Sequence, residues 1–225
     1  MKRRTIDLVV SAGGLVIAVI LLIGGIVLTS NANFAKNYVH DQLAQEQISF
    51  PTADVIAADP ATAAKPCLVQ YAGQQLLTGK QAECYANSFI GLHLSEMGAG
   101  TPYVGMSYAA LGGAQADLKA QITAATNAGD TAKVTSLNTT LTAVNNQRNT
   151  VFQGEMLRGV LLTSYGFSEL GAKAEMGAIV AYIGAGVMFL LGLLGLWHGF
   201  RTSPSQAFAP IEPAAARREK AVANA

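Results

Sequence analysis

The chain has 225 residues, of which 51% are hydrophobic and only 13% are charged, and its formal net charge is +1. That balance creates no global field for nucleic acid, and so apolar a composition fits a small membrane protein. Two cysteines and three histidines leave little material for a metal or redox centre.

Two apolar stretches organise the rest, Leu8–Thr29 and Gly177–Phe200. No Asp, Glu, Lys or Arg falls between Leu8 and Ala35, nor between Met176 and Phe200. A helix of about 20 apolar residues crosses a bilayer's hydrocarbon core, so each stretch is long enough to span it. The expected fold class is mainly α: two transmembrane helices flanking an extracytoplasmic helical domain. The expected division is a cytoplasmic N-terminus over 1–7, transmembrane helix 1 over 8–29, the extracytoplasmic domain over 30–175, transmembrane helix 2 over 176–200 and a disordered cytoplasmic tail over 201–225.

Orientation follows from the flanking cations. Lys2, Arg3 and Arg4 precede the first stretch, and none follows it until Lys36; Arg201, Arg217, Arg218 and Lys220 follow the second. Cytoplasmic flanks carry the excess Lys and Arg, so both termini are expected inside. The segment between them holds eight Lys/Arg against eleven Asp/Glu. Ser30-Asn31-Ala32 resembles a signal-peptide cleavage site, but the apolar run is 22 residues, against roughly 7–15 in a signal core. An uncleaved anchor is therefore expected.

Small residues recur in both stretches: Ser11, Gly14, Ala18 and Gly25 in the first, Gly177, Ala181, Gly184, Gly195 and Gly199 in the second. Spacings of three, four and seven keep them on one helix face. Lipid gives no hydrophobic drive between helices, so close backbone approach at such faces holds them together. An antiparallel pair would set Gly25 against Gly177 and Ala181, and Ser11 against Gly195 and Gly199. The same faces suit docking against another membrane protein.

Between the stretches, residues 33–48 suggest a helix with Phe34, Tyr38 and Leu43 on one face, ended by Ser49-Phe50-Pro51. Residues 52–66, with Pro60 and Pro66, read as a surface linker. Cys67 and Cys84 form a lone pair which, outside the cytoplasm, is expected to oxidise to a disulfide. Residues 81–97 form a helix whose apolar face would use Cys84, Tyr85, Phe89, Leu92 and Met97, stopped by Gly98-Ala-Gly-Thr-Pro102. Tyr103–Tyr108 is short and apolar, either strand or turn.

From 113 to 150 the pattern is an antiparallel helical hairpin. Leu111, Leu118, Ile122 and Ala125 make one stripe, and Asn127-Ala-Gly-Asp130 signals a turn. Val134, Leu137, Leu141, Val144 and Val151 make the second stripe, interrupted by Arg148. The outward faces carry Thr, Asn, Gln and Ala, which suits either a solvated arm or a surface for a partner helix. Residues 155–172 are apolar, with Leu157, Val160, Leu161, Tyr165 and Phe167 expected against the 81–97 helix or on the membrane surface.

Four segments carry a resemblance: Asp41-Gln-Leu-Ala-Gln-Glu-Gln-Ile-Ser49, Gln81-Ala-Glu-Cys-Tyr-Ala86 with His93, Gly98-Ala-Gly-Thr-Pro-Tyr103, and Arg158-Gly-Val-Leu-Leu-Thr-Ser-Tyr-Gly-Phe167. They are similar to a family of actinobacterial two-span envelope proteins, in which the 113–150 hairpin is an insertion that shorter members lack. The resemblance implies a cell-envelope membrane protein. It also brings the label "aromatic ring-opening dioxygenase", which these residues oppose. Iron of the extradiol type wants two His and a carboxylate on one face. His198 belongs to the membrane boundary, so only His40, His93 and Glu96 remain as weak metal candidates, and neither a catalytic set nor a cofactor motif is recognisable.

The expected function is therefore non-enzymatic, with no cofactor: an integral envelope protein in the plasma membrane, serving as an accessory or assembly subunit of a larger respiratory or transport complex. Its expected partners are the lipid bilayer and other integral membrane proteins, with no nucleic acid. The alternatives are an extracytoplasmic ligand-, lipid- or metal-binding or redox protein, or an envelope-stress sensor.

Overall fold

The computed structural model describes residues 3–203. The expected tail beyond Ser203, with Arg217, Arg218 and Lys220, and the flanking Lys2 lie outside the described residues. The described chain is mainly helical and has no strand. Its helices are α1 (Arg3–Glu46), α2 (Ala53–Ala58), α3 (Pro60–Ala63), α4 (Pro66–Tyr71), α5 (Gly79–Cys84), a π-helix (Tyr85–Ile90), α6 (Gly91–Glu96), α7 (Tyr108–Asn127) and α8 (Thr131–Arg201). Both apolar stretches fall within helices, α1 and α8, that are long and apolar enough to cross a membrane. The chain divides into two compact units, residues up to 31 together with 174 onward, and residues 32–173.

In the first unit, α1 and α8 meet along small residues. Ser11, Ala18 and Gly25 are buried on α1, and Ala178, Ala185, Gly192 and Gly199 on α8. Each set repeats every seven residues, the period that keeps one seam facing a partner helix. A Cβ added at Gly192 would stand 2.8 Å from the Leu15 side chain, one at Gly25 2.7 Å from the Tyr182 ring, and one at Gly199 3.1 Å from Leu8. The glycines thus set how near the two backbones come.

The expected register needs two adjustments. Ser11 meets Gly195 and Gly192, close to the expected partners, and Gly14 lies against Met188 and Gly192. Gly25, however, faces Tyr182, whose hydroxyl bonds Thr29 Oγ1 at 2.9 Å. Gly177 instead meets Leu28, and Gly184 meets Leu21. Ala181 is only half-buried; the deepest α8 positions are Ala178, Ala185 and Gly192. A strict seven-residue step selects those three, whereas the sequence reading followed mixed steps of three and four.

The second unit has a core of Val39, Leu43, Phe50, Ile56, Leu68, Leu76, Leu111, Val144, Val151 and Leu161, all under 5% exposed. Here α1 continues without a break through residues 33–46, where a separate helix was expected. Gln47, at φ 52°, ends it. Phe50 N–H then donates to Gln74 O, and Leu76 N–H to Ile48 O, pairing two extended pieces. Residues 52–66 are not a linker. They fold as α2 and α3, with Ile56 and Thr62 buried; Pro60 starts α3 and Asp59 caps it by accepting from Ala61 N–H at 3.0 Å.

The segment from 79 to 96 is helical, as expected; of its expected apolar face Cys84 is buried and Tyr85, Phe89 and Met97 pack part-buried against the core, while the buried line also runs through Ala82, Ala86, Ile90 and Leu94, which that face did not include. The physical reason is the π-helix in its middle. Bonding from i to i+5 widens the turn, so positions four apart stay in line where an α-helix would drift. Thr78 and Gln81 close the N-terminus with a capping box. Tyr103–Gly105 is turn, with Gly105 at φ 64°, and Tyr108 opens α7.

Between α7 and α8 lies the short turn Ala128–Asp130, with Gly129 at φ 72°. Leu111, Leu118 and Ala125 are buried on α7, Val144 and Val151 on α8. Arg148, expected to interrupt this stripe, instead joins the two helices. Its guanidinium lies 3.9 Å from the Tyr108 ring centroid, donates from Nε to Tyr108 O at 3.2 Å, and donates from Nη1 to Gln115 Oε1 at 3.0 Å. Residues 155–172 belong to α8 and do pack against the 79–96 helices, through Arg158 on Asn87 and Ser168 on Gly79. Only Leu161 of the named apolar group is fully buried; Val160 is 59% exposed.

Candidate functional site

The weak metal candidates occupy ordinary helical surroundings. His93 donates from Nδ1 to Phe89 O at 2.7 Å, with its ring 4.5 Å from that of Phe89. His40 is exposed and bonds Asp41 Oδ1 at 3.2 Å, and Glu96 is exposed. Among the described residues no three His, Cys, Asp or Glu side chains gather as metal ligands.

Gln81, Gly98 and Arg158 hold the fold of the second unit. Gln81 is buried; its Oε1 accepts from Leu77 N–H and Thr78 N–H at 2.9 and 3.0 Å, and its Nε2 donates to Gln74. Gly98, at φ 81°, lies against Gln147, whose Nε2 donates to Tyr103 O at 2.8 Å. Arg158 donates from Nη2 to Asn87 Oδ1 at 3.2 Å, while its buried Nε has no partner.

Cys67 and Cys84 are joined by a disulfide across 17 positions, as expected. The bond ties α4 to the end of α5, and the Ser88 hydroxyl donates to Cys67 Sγ at 3.3 Å. Beside it, Lys80 reaches Glu169 Oε1 at 3.0 Å and donates to the Tyr165 hydroxyl at 3.2 Å. These two partners, Glu169 foremost, hold the Lys80 ammonium pKa above its usual value. Burial raises the Tyr85 phenol, which sits in an aromatic run with Phe50 at 5.3 Å and Phe89 at 4.8 Å.

Two concavities stand out. In the second unit, a groove of about 810 Å³ runs between the C-terminal part of α1 and the middle of α8. Tyr38, Leu43, Leu157, Val160 and Phe167 line it, with Glu46 and Glu155 among its polar members. Phe34, Tyr38 and Phe167 form an aromatic cluster with centroids 5.7–6.3 Å apart.

In the first unit, a notch of about 350 Å³ opens between α1 and α8, lined by Asp7, Val10, Ser11, Gly14, Gly195 and His198 among others. Asp7 Oδ2 is buried and accepts no hydrogen bond. Among the described residues the nearest ionisable group is His198, Nε2 to Oδ2 4.0 Å. Ser11 cannot serve Asp7's carboxylate, because its hydroxyl donates to the Asp7 backbone oxygen. Sequence reading placed His198 at the membrane boundary but gave Asp7 no role. The available signal was an acid directly before 28 uncharged residues, Leu8 to Ala35.

Around the notch the exposed surface is apolar. Val9, Val10, Val16, Ile20 and Ile23 on α1 and Val180, Ile183, Leu190 and Leu194 on α8 are each more than half exposed. No protein-family model, curated protein or solved structure matches this chain.

Proposed function

We propose that the chain is an integral membrane protein of the cell envelope, akin to the actinobacterial two-span proteins, with α1 and α8 as its two passes and residues 30–175 outside. In this reading it is a non-enzymatic accessory or assembly subunit of a larger membrane complex. The carrying observation is the paired α1 and α8: small residues face inward and large aliphatic ones face out. Exposed apolar area on that scale needs lipid or protein around it. The disulfide supports placing 30–175 on the oxidising side. The α7–α8 hairpin, polar outside and weakly charged, is the arm through which a partner domain would be met.

Two measurements test this. The protein should resist extraction from membranes by alkaline carbonate, and a cysteine placed near residue 120 should react with an impermeant thiol reagent in intact cells. Tagged protein in mild detergent should bring down a stoichiometric membrane partner; a chain that emerges alone speaks against the subunit role.

The groove of the second unit favours one further reading, an extracytoplasmic binder of an acyl chain, because its lining is mostly apolar and open. Mass spectrometry of purified protein would then find a retained lipid at fixed stoichiometry, displaced by Val160→Trp.

A further inference from the structure

We propose that the notch at Asp7 is a self-association site: in the membrane, Asp7 of one copy receives the Arg3 guanidinium of a second copy lying parallel to it. This rests on the reading of α1 and α8 as membrane passes.

The first observation is an unmet demand. Asp7 Oδ2 is buried without a donor, and His198 stands at the 4.0 Å limit of an ion pair. A buried carboxylate oxygen is costly unless a donor reaches it. The notch also limits which donor. A calcium or magnesium ion wants six or more oxygen ligands, and here Ser11 is already engaged while the neighbours are Val10, Gly14, Met188, Leu191, Gly192 and Gly195. An anion is repelled by the carboxylate. What fits is a cationic group on a long aliphatic stem, reaching in from the side.

The second observation is that the chain carries that group on the same face. Residues 3, 7, 10 and 14 follow steps of four, three and four, which line up along one side of a helix. Arg3 is exposed, and neither a hydrogen bond nor an ion pair engages it among the described residues. Val10, next along the stripe, is 68% exposed. In a two-fold pair such a face meets itself. Arg3 of each copy then stands one turn, about 6 Å along the axis, from Asp7 of the other. An arginine side chain spans that step, and its fork suits a carboxylate.

The test uses the full chain in native membranes, after carbonate extraction has shown that it is embedded. Both native cysteines are in the disulfide, so an added cysteine is the sole free thiol. Val10→Cys should give a covalent dimer on mild oxidation, whereas Val9→Cys, at similar depth and about 100° further round the helix, should give at least five-fold less. Adding Asp7→Asn or Arg3→Gln to Val10→Cys should lower the dimer yield several-fold, and the exchange Arg3→Asp with Asp7→Arg should restore it. Equal yields from Val10→Cys and Val9→Cys, yields indifferent to Asp7→Asn, or disulfide cross-linking of Val10→Cys only to another protein would overturn the inference. Any of these in an embedded chain leaves the membrane reading standing; carbonate release would remove that reading itself.

Discussion

Gly154 of α8 packs directly on Leu94 of α6: a Cβ on Gly154 would stand 2.7 Å from Leu94 Cδ2, with Cδ1 and Cγ at 3.2 and 3.3 Å. Both methyls and the Cγ of the buried Leu94 crowd that point, so the side chain would have to shift. Gly154→Ala should therefore lose stability by about 1–3 kcal/mol through overpacking. Gly166, on the same helix, has nothing within 4 Å of its would-be Cβ. Gly166→Ala should gain up to about 1 kcal/mol of helix propensity. Thermal unfolding in detergent should show the two alanines moving the transition in opposite directions.

Arg148 should prove an anchor of α7. Arg148→Leu removes two donated hydrogen bonds and the contact with the Tyr108 ring, a loss of about 1–3 kcal/mol. Arg148→Lys should recover only part, since an ammonium cannot reproduce the fork. Hydrogen exchange over residues 108–127 would report it; unchanged protection there in Arg148→Leu would refute the role.

Alkaline stability should be limited in part by Tyr85. Its folded pKa is raised by burial, above an unfolded value of about 10. Above that pH the unfolded chain has lost the proton and the folded chain keeps it, so stability falls as pH rises toward the folded value. Lys80 has the same sign: its folded ammonium outlasts the unfolded one, and its contribution is present below about pH 10.4 and fades above. Solvent screening keeps the exposed Lys80 term small. Tyr85→Phe should flatten the fall in melting temperature above pH 10, and absorbance at 295 nm should show one tyrosine titrating late.

The α1–α8 register is open to a direct check. Ser11 and Gly195 touch, so Ser11→Cys with Gly195→Cys should oxidise to an intrachain bridge with no dimer formed. Moving the second cysteine to Leu194, which is 58% exposed, should abolish the bridge.

Removing the disulfide with Cys67→Ser and Cys84→Ser frees a loop of 17 positions. The chain-entropy model gives about 3 kcal/mol for a loop of that size. Reductant should lower the native protein's melting temperature comparably and leave the double variant's unchanged.

Much of this architecture is written in local patterns. Uninterrupted apolar runs determine α1 and α8, because a span depends on composition over about 20 residues. Stripes at steps of three and four determine that 111–125 and 134–151 are helical, and a lone cysteine pair determines its own bridge. The rest depends on contacts between distant residues. The face of 79–96 turned on a π-helix that periodicity cannot announce, since it changes the period itself. Arg148 looked like a break until Tyr108 and Gln115, 33 or more positions away, came within its reach. Asp7 carried no role in the sequence; only the approach of α8, bringing Gly195 and His198 beside it, buried its oxygen and left it without a donor.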